Sequence, residues 1–262
     1  MAFLTTQPLW LLGSVLVGLA TVLAMAGPVL VRRRVGFDRL SLNNEIAGLK
    51  FGTVGTLYAV LLAFAIVIVW GKFSDADNAA AQEAAATATL YRLADGIAGD
   101  PGTAFRDRLT HYARSAATED WPAMERGGGS RATTRALDAA YQALLTFSPT
   151  DGRGGALLSE ALHQLDLVTQ ARRARVSMAS GIVPGVLWFV LVGGAFLTVG
   201  FTLFFGAENL RVQATMTGVL TFLIFSGLFV VIAIDHPFAG SVKVGPHALS
   251  AVLEDFGPAA RP

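Results

Sequence analysis

Few side chains in this sequence could do chemistry, and the most promising are carboxylates set against apolar runs. Glu45 stands less than one helical turn before Gly48, just ahead of a long uncharged stretch. An acid there suits the positive end of a helix. Repeated around an axis, it would equally form a charged ring at the mouth of a pore. Asp235 closes the last apolar run and is followed by His236, Pro237 and Phe238. That pattern reads as a polar helix exit with a proline stop. It reads equally as a carboxylate that joins backbone carbonyls in gripping an ion or a long helix. Asp235 with His236 and the more distant His247 is too small a ligand set for a metal site. Asp235 and His236 are chain neighbours, which is not a dyad geometry. There is no His-Glu-x-x-His, nucleophile elbow or phosphate-cradling loop, and the Gly127–Gly129 run has no strand before it. The absence of cysteine removes disulfides, thiolate metal sites, iron–sulfur clusters and cysteine nucleophiles. The residues imply no catalytic group, no metal and no cofactor.

What remains is passage or contact, and residues 43–70 carry it. After Lys50 the chain holds no charge through Trp70, and roughly 20 apolar residues cross a bilayer as a helix. Gly48, Gly52, Gly55, Ala59 and Ala63 recur at spacings of three or four, which is one helical face. In lipid, a face of small residues lets another helix approach closely, or leaves room for a narrow lumen when copies surround an axis. Phe51, Leu57, Phe64, Val67 and Ile68 lie elsewhere around the helix.

The elements that must position this stretch are also membrane spans. The chain has 262 residues, 53% of them hydrophobic and only 15% charged. A formal net charge of +1 and the lack of a basic tract exclude a nucleic-acid partner. Spans are predicted near residues 9–31, 51–70, 182–205 and 216–234. Residues 1–8 hold no Lys or Arg, so the first span reads as a retained anchor rather than a removed signal. The expected fold is all-α: an integral membrane protein with four transmembrane helices, two plus two, and a helical extramembrane insert between the second and third. The expected divisions are 1–72, a first transmembrane hairpin; 73–180, the insert; 181–235, a second hairpin; and 236–262, a C-terminal tail.

Within the insert, the second span is predicted to continue as one long helix to about Ala98, ended by Gly99–Asp100–Pro101–Gly102. Thr103 and Ser130 are predicted helix caps. Trp121–Pro122 is predicted to interrupt or kink a helix that runs to about Glu119. A last helix from about Ala156 carries Leu158, Leu162, Leu165 and Val168, then Arg172, Arg173 and Arg175. Pro184 is predicted to bend the start of the third span. The fourth span, rich in Phe, Leu, Ile and Val, is expected to face lipid over much of its surface. Arg32, Arg33, Arg34, Arg39, Lys50 and Arg211 lie on one side of the membrane, and Lys72, Arg92, Arg172, Arg173, Arg175 and Lys243 on the other. That near balance leaves the orientation open.

Several pieces together resemble the bestrophin-like family, once catalogued only as a domain of unknown function. They are LNNEIAG before the second span, LYAVLLAFAIVIVW within it, YRLA and EDWPAM in the insert, and IDHPFAG after the fourth span. The similarity covers about residues 33–249. The run from Asp235 to Gly240 is also similar to the acidic–x–Pro–Phe–Gly run after the last span of bestrophins. Bestrophins are pentameric ion channels, mostly for anions, with the second span lining a hydrophobic neck. The resemblance therefore implies a homo-oligomer, pentameric by analogy, in the inner (cell) membrane as a multi-pass protein. Its partners would be copies of itself, membrane lipid and small inorganic ions. It implies a pore lined by Gly52, Gly55, Ala59, Ala63 and Ile66, with Glu45 at its mouth. Bestrophins place further acidic residues of a calcium clasp where this chain has Ser241–Val242–Lys243–Val244–Gly245, so calcium gating is not implied. A membrane-anchored sensor or scaffold, with the insert binding a partner, is the alternative.

Overall fold

The structure is a computed structural model, and it describes residues 9–41 and 44–257. All regular structure among them is helical, as the sequence predicts. In chain order the helices are α1 (Leu9–Val35), α2 (Phe37–Ser41), α3 (Asn44–Ala94), α4 (Asp100–Ser115), a π-helical turn (Ala116–Asp120), α5 (Trp121–Met124), α6 (Arg131–Leu145), α7 (Gly152–Ser177), α8 (Gly185–Thr202), α9 (Leu210–Ile234) and α10 (His247–Asp255). Four of them, α1, α3, α8 and α9, are long and apolar enough to cross a membrane. The described residues fall into two compact units. One holds residues up to Gly71 together with Ile182–Asp235; the other holds Lys72–Gly181 together with the described residues from His236 onward. The second unit therefore takes in the described part of the expected C-terminal tail.

In the first unit, α1 packs along α9. The face that α3 buries here carries Tyr58, Leu62, Ala65 and Val69, which share one side of a helix. Two glycines make room for it. A Cβ on Gly194 of α8 would stand 2.6 Å from Tyr58, and one on Gly227 of α9 would stand 2.7 Å from Leu62. Only bare backbone admits side chains this closely. The Tyr58 hydroxyl donates to the Leu191 carbonyl at 3.0 Å. A phenol buried among spanning helices needs such an acceptor because lipid offers none.

Two expectations change here. Pro184 does not bend α8. Its φ of −59° and ψ of 146° place it just before the helix, where a missing N–H costs no hydrogen bond. The fourth span starts at Leu210, ahead of residue 216, because the Asn209 side chain accepts from the N–H groups of Arg211 and Val212 and nucleates the first turn. It is also the best covered of the four: 44% of its apolar window is buried, against 11% in α1, 17% in α3 and 28% in α8. Thr217, Gly218 and Thr221 turn inward and let neighbours close on it.

The second unit has its own core, built from Leu90, Phe105, Leu109, Leu137, Leu144 and Leu165 with Phe238 and Leu249. Ser130 caps α6 as predicted, accepting from the N–H groups of Ala132 and Thr133. Thr103 is not a cap. Gly99, at φ 76°, turns the chain, and α4 starts at Asp100 with Pro101 in its first turn, where proline loses nothing. The long helix stops at Ala94 rather than Ala98. Asp151 caps α7 through the Gly154 N–H at 2.7 Å, so α7 begins at Gly152, ahead of Ala156. The Tyr91 and Phe256 rings stack at 3.7 Å.

Candidate functional site

Around its membrane portion α3 presents three faces. The first is the packed face of Tyr58, Leu62, Ala65 and Val69. About 100° around the helix lies the small-residue face. On it Gly48, Gly52, Ala59 and Ala63 are exposed, and Gly55 and Ile66 are half-buried. A Cβ added at Gly52 would meet nothing within 4 Å, and one at Gly55 would touch only Phe51 of the same helix, at 3.9 Å. The close helix contacts within the chain are thus made elsewhere, against Gly194 and Gly227. The third face exposes Leu57, Val60, Phe64, Val67 and Ile68. Glu45 lies exposed in the first turn of α3. Beside it, the Asn44 amide brackets Gly206, donating to its carbonyl at 2.6 Å and accepting from its N–H at 2.9 Å.

The residues after α9 take separate roles. Asp235 is buried, and its Oδ1 accepts from the N–H groups of Ile182 at 3.1 Å and Val183 at 2.7 Å. It thereby ties the end of α9 to the approach to α8. In the second unit, Phe238 is buried edge-on to Trp121, with ring centroids 6.3 Å apart. Pro237 accepts from the Val244 N–H at 2.7 Å, and the Val244 carbonyl accepts from the Trp121 indole at 2.9 Å. Lys243 pairs with Glu125. Among the described residues, no group of three or more acidic or histidine side chains is arranged to hold a metal ion.

A buried polar cluster lies in the second unit. Glu83, Asp120 and Arg175 have no exposed surface, and Arg172 is 9% exposed. Arg175 grips Glu83 with two hydrogen bonds, Nε at 2.8 Å and Nη2 at 2.9 Å, and reaches Asp120 at 3.2 Å. Its guanidinium sits 4.1 Å from the Trp121 ring centroid. Arg172 forks onto Asp120 at 2.8 and 3.1 Å and also donates to the Ser130 carbonyl. Tyr112 donates to Glu83 at 2.7 Å. Two carboxylates thus neutralise two guanidiniums, with the remaining lone pairs largely filled. Burial alone would raise the Asp120 pKa. The Arg172 hydrogen bonds, the charges of both arginines and the Ser130 N–H outweigh it and hold this carboxyl below its ordinary range. Tyr112 is pushed well above the usual phenol value, first by burial and then by the Glu83 charge and hydrogen bond.

The π-helical turn supplies Asp120 to this cluster. Ala116 and Asp120, four residues apart, continue the inward face that Phe105, Leu109 and Tyr112 begin on α4. The chain passes from α4 through the π turn into α5 without a gap, so Trp121–Pro122 does not interrupt it, and Pro122 stands in the first turn of α5. Arg172 and Arg175, which the sequence counts among the bases flanking the spans, are interior ligands of this network. The hint available in sequence was position. Glu83 continues the stripe of Ala76, Ala80, Thr87 and Leu90, and Arg172 and Arg175 continue that of Ala161, Leu165 and Val168.

Comparison with known proteins places this fold. A model of the Bestrophin-like domain matches residues 18–249. A bacterial bestrophin homolog from Klebsiella pneumoniae is similar in structure, with a TM-score of 0.71 at 14% identity, covering 93% of this chain and 99% of that one. A single-residue variant of the Klebsiella pneumoniae homolog gives a TM-score of 0.72 at 14% identity, covering 92% and 98%. A further crystal structure, described as that of a membrane protein, gives 0.71 at 14% identity, covering 92% and 99%. No curated protein matches by sequence. At these identities the structures share a fold, and the match of the family model across most of the chain shows the family: this chain is a membrane protein that belongs to the bestrophin-like family.

Proposed function

We propose that this chain is one subunit of a homo-oligomeric ion channel in the cell membrane, with α3 lining the central pore. Gly52, Gly55, Ala59, Ala63 and Ile66 line the neck, and Glu45 stands at its mouth. Five copies and anion conduction follow from the resemblance to bestrophins. The observation that carries the reading is the bare small-residue face of α3. That face is uncharged, lies within a spanning helix, and is left open by the helices of its own chain, whose close contacts with α3 fall on Tyr58 and Leu62. Copies around an axis would turn it into a narrow apolar lumen, which can gate by dewetting. Asp235 serves the fold in this reading, as a clasp on the backbone at Ile182 and Val183.

The test is oligomeric mass in lipid nanodiscs, followed by bilayer recording. A ring of copies with conductance that falls on Ala63→Trp supports the proposal. A monomer in lipid, or a ring whose conductance is indifferent to bulk at Ala63, overturns it.

A further inference from the structure

A cavity of about 450 Å³ opens in the first unit where α3 begins, α8 ends and α9 begins. Its apolar wall is Phe51, Phe205, Met216 and Leu220. Cavities of this size take a small organic molecule or a chain of one. The polar side chains on its wall are turned to the protein. Asn44 spends its amide on Gly206, Gln213 donates to the Phe205 carbonyl, and Thr202 donates to the Val199 carbonyl at 2.6 Å. Among the described residues, no titratable side chain lines it. A sugar, nucleotide or amino acid would lose its water there without matching partners. Hydrocarbon would lose nothing.

The rim carries charge of one prevailing sign. Arg32 donates to the carbonyls of Ala207 and Glu208 at 3.0 and 3.3 Å, and Ala207 itself lines the cavity. Arg33 and Arg34 share the last turn of α1 with it. Arg211, in the first turn of α9, and Lys50, next to Phe51, are exposed. Among the described residues, Glu45 in the first turn of α3 and Glu208, whose carbonyl Arg32 meets, are acids at the same helix ends. The cavity also lies at the ends of spanning helices, at the depth of lipid headgroups. Bases there attract anionic lipids.

We propose that this cavity holds one acyl chain of an anionic phospholipid whose headgroup phosphate rests among Arg32, Lys50 and Arg211. The site stands apart from the pore reading, because it needs no central axis. The experiment is native mass spectrometry of the full-length protein in detergent, with phosphatidylglycerol or phosphatidylcholine added in turn. Wild-type protein should retain phosphatidylglycerol in about tenfold preference, equivalent to about 1.4 kcal/mol. Leu220→Trp, which fills the cavity, should abolish that retention, and Met216→Trp, at an exposed wall position, serves as a second filling variant should the first fail to fold. Lys50→Gln with Arg211→Gln should remove the headgroup preference and leave apolar retention. Equal retention of both lipids by wild-type protein overturns the proposal. So does unchanged phosphatidylglycerol retention in a folded filling variant. A filling variant that alters oligomeric mass but not lipid retention also overturns it, since a neighbouring copy would then occupy the cavity.

Discussion

Removing both members of the buried Glu83–Arg175 pair should cost clearly less than the sum of removing each alone. Arg175→Met takes two hydrogen bonds from Glu83, at 2.8 and 2.9 Å, and leaves that carboxylate wholly buried with Tyr112 alone. Uncompensated charge of this kind costs about 3–5 kcal/mol. Glu83→Leu strands the Arg175 guanidinium instead, with only Asp120, Met124 and Trp121 beside it, at a comparable cost of roughly 3 kcal/mol. Glu83→Leu combined with Arg175→Met removes one charge of each sign. Asp120 and Arg172 remain, a neutral pair still joined at 2.8 and 3.1 Å. The double variant should therefore fall short of the summed losses by about 2 kcal/mol or more, near the upper range for coupled neighbours. Denaturant unfolding of the full chain in detergent, followed by far-ultraviolet circular dichroism, measures all three. Additive losses, or single losses below about 1 kcal/mol, would show that the network is not a coupled charge pair in a dry interior.

Three further outcomes follow from the same geometry. Asp120 titrates below its ordinary value of 3.8, so its stabilising charge is fully present above that pH and is lost as pH falls through the lower folded value. Asp120→Asn should be the less stable protein at neutral pH, and acid titration of both should bring their stabilities together below about pH 3.8; a constant gap would contradict the assignment. Gly194→Leu drives a side chain into Tyr58, whose ring already lies 2.6 Å from where a Cβ would sit. It should separate α3 from α8 and lower the melting temperature by several degrees, and it should do so more than Gly52→Leu, whose Cβ site is open. Glu45→Lys should shift reversal potentials under a salt gradient towards anion permeation if Glu45 stands at the pore mouth, and an unmoved reversal potential places it outside the ion path.

How far the sequence could be read depended on whether the signal was local in the chain. The spans were legible because hydrophobic length is a local property, and the small-residue face of α3 because glycine and alanine recur at regular intervals. The choice of packing partner was not legible. Tyr58 and Leu62 dock on Gly194 and Gly227, and nothing near Tyr58 in the chain names a glycine more than a hundred residues away. Element starts slipped where a side-chain cap lay upstream of the expected start, as at Asp151 and Asn209, and where Gly99 and Pro184 set the backbone.

The buried network is legible by position and not by pairing. Glu83 sits on the apolar stripe of α3, and Arg172 and Arg175 sit on that of α7, so each is a charge at a position that should be dry. A buried charge needs an opposite one. Asp120 obeys the same rule. It stands four residues after Ala116, on the stripe that Phe105, Leu109 and Tyr112 begin, and that stripe stays inward through the π turn. The stripes name two acids and two bases but not their pairing: Arg175 is shared between Glu83 and Asp120, while Arg172 holds Asp120 alone.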